Sequence, residues 1–310
     1  MAIGFVFPGQ GSQKVGMLAE LAEHDTAVKK TFAQASEVLN YDLWDIVSNG
    51  PDEKLNSTDV TQPAMLAAGY ACWIVWQNKI DVLPDYMAGH SLGEYTALVA
   101  SGVIDFQDAI TLVRRRGELM QAAVPAGEGA MAAILGLDDE AVITACSAAK
   151  SKGVIQAVNF NAPGQVVIAG NTEAVEAAAA NAKEAGAKRA VILPVSVPSH
   201  CSLMQTAADE LAMLLNNIEF KSPTIPVINN VDVAIENDSQ KIKSALAGQL
   251  HMPVRWVEII NLMANNGVDQ LLECGPGRVL VGLNKRINKS MSANAVYDVD
   301  SFEKAMQSLS

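Results

Sequence analysis

Apolar positions in the first third of the chain alternate between short continuous runs and helical spacing. Continuous runs predict strands over 3–7 and 86–88. Helical spacing predicts helices over about 17–39, 63–79, 92–99 and 106–121. Strands that alternate with helices are typical of a parallel sheet covered on both faces. We therefore expect the chain to begin as an α/β domain.

Between residues 127 and 196 the spacing of apolar positions changes. Apolar runs predict strands over 130–135, 154–160, 166–169 and 190–195, and helical spacing predicts helices over about 138–149 and 171–186. The resulting order, β-α-β-β-α-β, is that of a ferredoxin-like unit. We therefore expect a small insert at 127–196 within a large domain formed by 1–126 and 197–310.

Composition places the chain among globular proteins. Its 310 residues are 50% hydrophobic, enough for a large core. It has neither an apolar run long enough to span a membrane nor a basic leader, so we expect no membrane association. Four scattered cysteines, without zinc-ligand spacing, fit a reduced cytoplasm. The net charge of −12 disfavours nucleic acid as a partner.

The stretch Gly89-His90-Ser91-Leu92-Gly93 carries the most informative chemistry. It has the pattern Gly-x-Ser-x-Gly and lies where an apolar run changes to helical spacing. At such a turn a serine hydroxyl is exposed as a nucleophile, and Leu92 would offer its main-chain N–H to a developing oxyanion. The structural alternative is a glycine-flanked helix start capped by the serine.

A serine nucleophile needs a base within hydrogen-bond reach, and the chain has four histidines. His90 adjoins Ser91, so their side chains should diverge. His24 lies in a charged helical segment, and His251 follows a helix end. His200 lies in a loop after the expected insert and is the predicted base, the alternative being a loop histidine without a partner. Because no acid flanks it, we expect a Ser–His dyad in which a carbonyl oxygen binds the histidine N–H, which suits a thioester substrate.

The glycine-rich loop at 8–13 follows the first predicted strand. Lys14 stands where a dinucleotide-binding loop needs its third glycine, and the loop is not a Walker A motif. Its exposed N–H groups make Gln10 the candidate for a second oxyanion donor beside Leu92, and a plain glycine turn is the alternative.

Arg116 is the one arginine of the run 114–116 that a helical projection places on an apolar face. A buried arginine needs a partner, because an unpaired buried charge costs several kcal/mol. That partner is either a structural carboxylate or an anionic group of the substrate. The second possibility would give a preference for acyl groups that carry a carboxylate.

Eight short stretches carry a resemblance to a known family. They are Phe-Pro-Gly-Gln-Gly-Ser-Gln at 7–13, Thr-Gln-Pro-Ala at 61–64, Gly-His-Ser-Leu-Gly-Glu-Tyr at 89–95, Arg-Gly at 116–117, Asn-Phe-Asn-Ala-Pro-Gly-Gln at 159–165, Pro-Ser-His-Cys at 198–201, Gln-Leu at 249–250 and Glu-Cys-Gly-Pro-Gly at 273–277. Together they resemble bacterial malonyl-CoA:acyl carrier protein transacylases, and they span almost the whole chain.

The resemblance implies a hydrolase-like α/β core with a ferredoxin-like insert and a role in fatty acid biosynthesis. It implies ping-pong transfer of a malonyl group from malonyl-CoA to the phosphopantetheine thiol of acyl carrier protein, with no permanent cofactor and no metal. The implied site consists of Ser91 as nucleophile, His200 as base, Gln10 and Leu92 as oxyanion donors, Arg116 as ligand of the malonyl carboxylate, and Gln249, whose carbonyl orients His200.

Acyl carrier protein is acidic, so basic clusters are candidate docking positions. They are Lys188, Arg189, Lys285, Arg286 and Lys289, and ordinary solvated charges are the alternative. Two other functions stay open at this point. One is a serine thioesterase or esterase on the same turn, and the other is a non-catalytic module that binds acyl carriers.

Overall fold

Two separate β-sheets organise the chain in this computed structural model, which describes residues 2–195 and 197–309. The strands are β1 Ala2–Phe7, β2 Tyr86–Gly89, β3 Gly129–Leu135, β4 Ile155–Ala162, β5 Gln165–Asn171, β6 Arg189–Ile192, β7 Val227–Ile228, β8 Val268–Cys274 and β9 Ser292–Val296. One sheet has the order β7-β2-β1-β8-β9, and all of its pairs are parallel. The other has the order β4-β5-β3-β6, and its pairs are antiparallel.

Helices pack against both sheets. They are α1 Ala19–His24, α2 Thr26–Leu39, α3 Leu43–Asn49, α4 Asp52–Leu55, α5 Thr58–Lys79, α6 Leu92–Ala100, α7 Phe106–Ala123, α8 Asp139–Ala149, α9 Thr172–Glu184, α10 Gln205–Asn216, α11 Ser239–Gln249, α12 Trp256–Asn265, α13 Val279–Ile287 and α14 Val299–Gln307. Within the described residues, no helix combines the length and the apolar character needed to cross a membrane.

Two predicted helices have different bounds in the structure. The single helix predicted over 17–39 was wrong, because Asp25 is extended and its side chain accepts from the N–H of Ala27, which starts a second helix. The helix predicted from residue 63 begins at Thr58 instead. Pro63 lies in its second turn and has no N–H to donate to the carbonyl of Asp59.

The antiparallel sheet follows the predicted order of elements: β3, α8, β4, β5, α9, β6. Apolar residues of α8 and α9 pack against β3, β4 and β5 in one continuous core. The strand predicted over 190–195 ends at Ile192. Leu193 still donates to the carbonyl of Met131, but the N–H of Val195 bonds to the carbonyl of Leu193 in a tight turn, which ends the ladder.

Strand register places two loops side by side at one edge of the parallel sheet. Phe7 at the end of β1 is paired with Gly89 at the end of β2. The carboxyl ends of parallel strands meet at the same edge, where ligands bind in open α/β sheets. The glycine-rich loop after β1 and the serine turn after β2 therefore lie next to each other.

Candidate active site

Ser91 occupies a strained turn between β2 and α6. Its φ of 51° and ψ of −111° place it outside the ordinary region for a residue with a side chain. A Cβ at Gly89 would overlap the backbone of Gly93, and a Cβ at Gly93 would overlap the carbonyl of Phe7. Both glycines are therefore required for the turn, which holds the Ser91 hydroxyl away from the sheet.

The glycine-rich loop lies directly against this turn. A Cβ at Gly9 would overlap the carbonyl oxygen of His90, so only glycine permits this approach. Gln10 and Leu92 both line the pocket in front of Ser91. Among the described residues, no acceptor binds the main-chain N–H of either one. The two N–H groups are free to receive a ligand oxygen.

Ser91 and His200 are brought together from positions far apart in the sequence. Ser91 Oγ lies 2.8 Å from His200 Nε2, and His200 Nδ1 lies 2.6 Å from the main-chain oxygen of Gln249. Because the carbonyl can only accept, Nδ1 carries the proton and Nε2 is the acceptor for the serine hydroxyl. Burial, reinforced by the charge of Arg116, lowers the pKa of His200 to about 3, so its imidazole is neutral at neutral pH.

Arg116 is 1% exposed and points into the same pocket. One terminal nitrogen donates to Gln62 Oε1 at 2.9 Å, and the other donates to Gln249 Oε1 at 3.0 Å and to Ser91 Oγ at 3.3 Å. Its Nε has no partner among the described residues. The guanidinium carbon lies 5.4 Å from the centre of the Tyr95 ring. Within the described part of the chain Arg116 has no ion pair with a carboxylate, so its charge is held by neutral oxygens.

The two neighbouring arginines have a different environment. Arg114 and Arg115 both pair with Glu118 near the surface. Gly117, by contrast, faces α5, where an added Cβ would lie 2.8 Å from the carbonyl oxygen of Thr58. This close contact between α5 and α7 positions Arg116 beside Gln62.

A cavity of about 390 Å³ contains these groups. The turn, the glycine-rich loop and α7 form one side. Met131 and Asn159 of the antiparallel sheet, with Leu193 and Val195 after β6, form the other. Among the residues described, no cluster of histidine, cysteine and acidic side chains has an arrangement that could hold a metal ion. The pocket is therefore a cleft between the two sheets that holds a serine hydroxyl, a neutral imidazole and a guanidinium.

Comparisons with known proteins identify the family of this chain. The acyl transferase domain model matches residues 4–299. Malonyl CoA-acyl carrier protein transacylase of Haemophilus influenzae is 60% identical over 96% of each chain. The chain belongs to the acyl transferase family.

Solved structures of similar proteins extend the match to three dimensions. An acyl carrier protein S-malonyltransferase from Vibrio cholerae is 60% identical, with a TM-score of 0.96 over 98% of this acyltransferase and 100% of that chain. A malonyl-transacylase in complex with a type II PKS acyl-carrier protein is 56% identical, with a TM-score of 0.98 over 99% of this chain and 100% of the other.

Three polar residues of the acyltransferase site were not identified from the sequence: Gln62, Glu94 and Asn230. Gln62 and Glu94 are buried polar positions in otherwise apolar helices, a signal that could have found them. Asn230 Oδ1 accepts from the Ser91 N–H at 2.7 Å, and its Nδ2 donates to the Gly89 carbonyl at 2.7 Å. No local pattern marks Asn230, because its partners lie about 140 positions away.

His90 is turned away from the serine, as the sequence predicts. Its Nε2 lies 2.7 Å from Asn161 Oδ1, and its ring centre is 5.5 Å from that of Trp256. Burial lowers the pKa of His90, although the hydrogen bond to Asn161 opposes the shift. His90 therefore lines the pocket without contacting the Ser91 hydroxyl.

Proposed function

We propose that the chain transfers a malonyl group from malonyl-CoA to the phosphopantetheine thiol of acyl carrier protein, through an ester on Ser91. The observation that carries this proposal is the convergence of three groups, since Ser91 Oγ lies 2.8 Å from His200 Nε2 and 3.3 Å from a terminal nitrogen of Arg116. The relatives named as malonyl CoA-acyl carrier protein transacylases support the same substrates. We also propose a role in fatty acid biosynthesis, which uses this activity.

In the first half-reaction Ser91 Oγ attacks the thioester carbonyl of malonyl-CoA, and His200 Nε2 takes the hydroxyl proton. The carbonyl π electrons move onto the oxygen, which the N–H groups of Gln10 and Leu92 stabilise. When the tetrahedral intermediate collapses, the C–S bond breaks. His200 returns its proton to the departing sulfur, so coenzyme A leaves as a thiol and malonyl remains on Ser91.

The second half-reaction reverses these steps with a different thiol. The thiol of the carrier's phosphopantetheine gives its proton to His200, and its sulfur attacks the malonyl-serine carbonyl. Collapse of the second intermediate breaks the bond to Ser91 Oγ, which regains a proton from His200. The main-chain oxygen of Gln249 holds the imidazole in one orientation throughout, and it stabilises the imidazolium that forms twice.

Arg116 gives the pocket its proposed acyl preference. Its guanidinium is held by amide oxygens rather than by a carboxylate, so it retains an unneutralised charge for the malonyl carboxylate. A paired carboxylate in such a site contributes about 1.5–3 kcal/mol, or roughly 10- to 150-fold in affinity. Coenzyme A enters as part of the substrate, and we propose no permanently bound cofactor.

Release of coenzyme A in the absence of carrier tests transfer against hydrolysis. A transferase should release about one equivalent of thiol per active site and then stop until carrier protein is added. A serine thioesterase on the same turn would instead release thiol continuously from malonyl-CoA and water alone. Continuous release at a rate that carrier protein does not increase would contradict the proposal.

We further infer that the parallel sheet and its helices are a hydrolase-like core formed by 1–126 and 197–310, and that 127–196 is a ferredoxin-like insert. The strand order β4-β5-β3-β6 supports the second assignment.

The four cysteines are free and buried, which fits the reducing cytoplasm that we propose as the location of the enzyme.

Five basic surface residues are our proposed docking positions for the acidic carrier. Lys188, Arg189, Lys285, Arg286 and Lys289 are all exposed. Arg189 lies in β6, and the residues after β6 line the pocket. Arg286 contacts Gln165 and the carbonyl of Pro163 between β4 and β5. Gln165 and Arg189 both pair with Leu135 at the end of β3, so the carrier would dock at this end of the antiparallel sheet.

Reversal of charge at this end of the sheet should weaken carrier binding selectively. The double variant Lys188→Glu/Arg189→Glu is expected to raise the KM for carrier about three- to tenfold at low salt, with less effect at high salt. Malonyl loading from malonyl-CoA should not change. The matched control Lys150→Glu/Lys152→Glu reverses two exposed charges that precede β4, at the opposite end of the antiparallel sheet. Equal effects of the two double variants on carrier KM would contradict the docking proposal.

A further inference from the structure

Glu94 is a buried carboxylate that the proposed mechanism does not use. It lies in the first turn of α6 and is 2% exposed. Among the described residues it forms no ion pair. Its Oε2 accepts from the Asn230 N–H at 3.0 Å and from Gln249 Nε2 at 2.7 Å. A carboxyl group buried among neutral donors, next to the pocket, requires an explanation beyond packing.

The contact with Gln249 determines how that amide group is oriented. Gln249 Nε2 donates to Glu94 and, at 3.1 Å, to the carbonyl of Ser91, which are both acceptors. The amide oxygen must then face the other way, where it accepts from Arg116 at 3.0 Å. Reversal of the amide would place its NH₂ against the guanidinium, donor against donor.

Gln249 also separates two opposite charges. A direct pair between Glu94 and Arg116 would neutralise the guanidinium and turn it away from the acyl group. With the amide between them, Arg116 is held by an oxygen dipole and keeps its charge available to the pocket. Burial raises the pKa of Glu94 to about 7, against the lowering effects of Gln249, Asn230 and Arg116. The carboxyl oxygen can accept the amide N–H in either protonation state.

We propose that Glu94 is a positioning residue for acyl selectivity, which acts through the side-chain amide of Gln249 to hold the Arg116 guanidinium toward the acyl group. This inference rests on the proposed function. The main-chain oxygen of Gln249 meanwhile orients His200, so one residue connects the base and the cation to Glu94. Glu94 contacts Gln249 at its side chain, whereas His200 contacts its main-chain oxygen. The role of Glu94 is therefore separable from that of the base.

The test compares loading of malonyl and acetyl groups onto Ser91. Glu94→Met removes the acceptor with little change in length, and it should lower the ratio of kcat/KM for malonyl-CoA to that for acetyl-CoA about 10- to 100-fold. Any loss through Asn230 and the serine turn affects both substrates and cancels in the ratio. Glu94→Gln keeps an oxygen acceptor and should restore the ratio to within about threefold of the parent value.

Two controls separate positioning from a merely structural role. Glu273 is a fully buried glutamate that accepts from Leu280 and Val281 at the start of α13. Glu273→Met should lower the melting temperature but leave the malonyl-to-acetyl ratio unchanged. In an Arg116→Ala background, Glu94→Met should have no further effect on the ratio, because the residue through which it acts is gone.

Three results would overturn the inference: an unchanged ratio in Glu94→Met, an equal loss in Glu94→Gln, or a loss that persists without Arg116. If Glu94→Met does not fold, Gln249→Met tests the same contact and leaves the main-chain carbonyl in place, and an unchanged ratio there would also overturn it. Failure of the parent protein to load malonyl on Ser91 would instead contradict the proposed function.

Discussion

Ser91→Ala is expected to lower malonyl transfer by a factor on the order of 10⁴ or more, because it removes the atom that forms the acyl bond. The oxyanion donors and Arg116 would still bind malonyl-CoA, so the loss should appear in the rate of acyl transfer rather than in substrate binding. Single-turnover release of coenzyme A measures it directly. Loading should become undetectable, while the KD for malonyl-CoA changes little.

Ser101→Ala is the matched control for this variant. Ser101 follows the same helix, α6, and its hydroxyl donates to the carbonyl of Leu98 away from the pocket. Loading in that variant should stay close to the parent rate. If Ser91→Ala still formed a covalent malonyl adduct at the parent rate, another residue would be the nucleophile, and the assignment of His200 as its base would also be wrong.

Arg116→Ala is expected to change which acyl group is transferred. Loss of the pair between the guanidinium and the malonyl carboxylate should lower kcat/KM for malonyl-CoA about 10- to 150-fold. This range corresponds to the free energy of such a contact, about 1.5–3 kcal/mol. Acetyl-CoA has no carboxylate, so acetyl transfer should be retained or should increase. Competition between the two thioesters, with the acyl-enzyme products measured by mass, gives the ratio directly.

Arg115→Ala is the matched control for Arg116→Ala. Arg115 lies one position away in α7 and pairs with Glu118 near the surface, so its loss should leave the malonyl-to-acetyl ratio at the parent value. Equal losses for malonyl and acetyl in Arg116→Ala would show that Arg116 has a structural role, as the support of Gln62 and Gln249, and not a role in selectivity.

Local sequence patterns identify those parts of the site that depend on local geometry. Gly89, Ser91 and Gly93 mark the turn because a nucleophile at a strand-to-helix junction needs glycines on both sides. Arg116 is detectable because a charge on an apolar helix face is destabilising unless it has a binding partner. The order of elements in the antiparallel sheet is likewise readable, since strand and helix periods differ.

The remainder of the site depends on contacts between distant segments. Asn230 binds the serine turn from 139 positions away, and Glu94 reaches Gln249 across 155 positions. Hydrophobic spacing contains no information on such polar pairs. The break at Asp25 was missed for a different reason, because apolar spacing continues through a residue that both ends one helix and caps the next.

The location of the acyl group during turnover tests the central claim most directly. The enzyme is incubated with malonyl-CoA, digested and examined by peptide mass spectrometry, and then a second sample is mixed with holo acyl carrier protein before digestion. We predict one malonyl group on the peptide that contains Ser91, and its transfer to the carrier's phosphopantetheine within one turnover. A malonylated carrier that forms at full rate while Ser91 never carries the group would contradict the account.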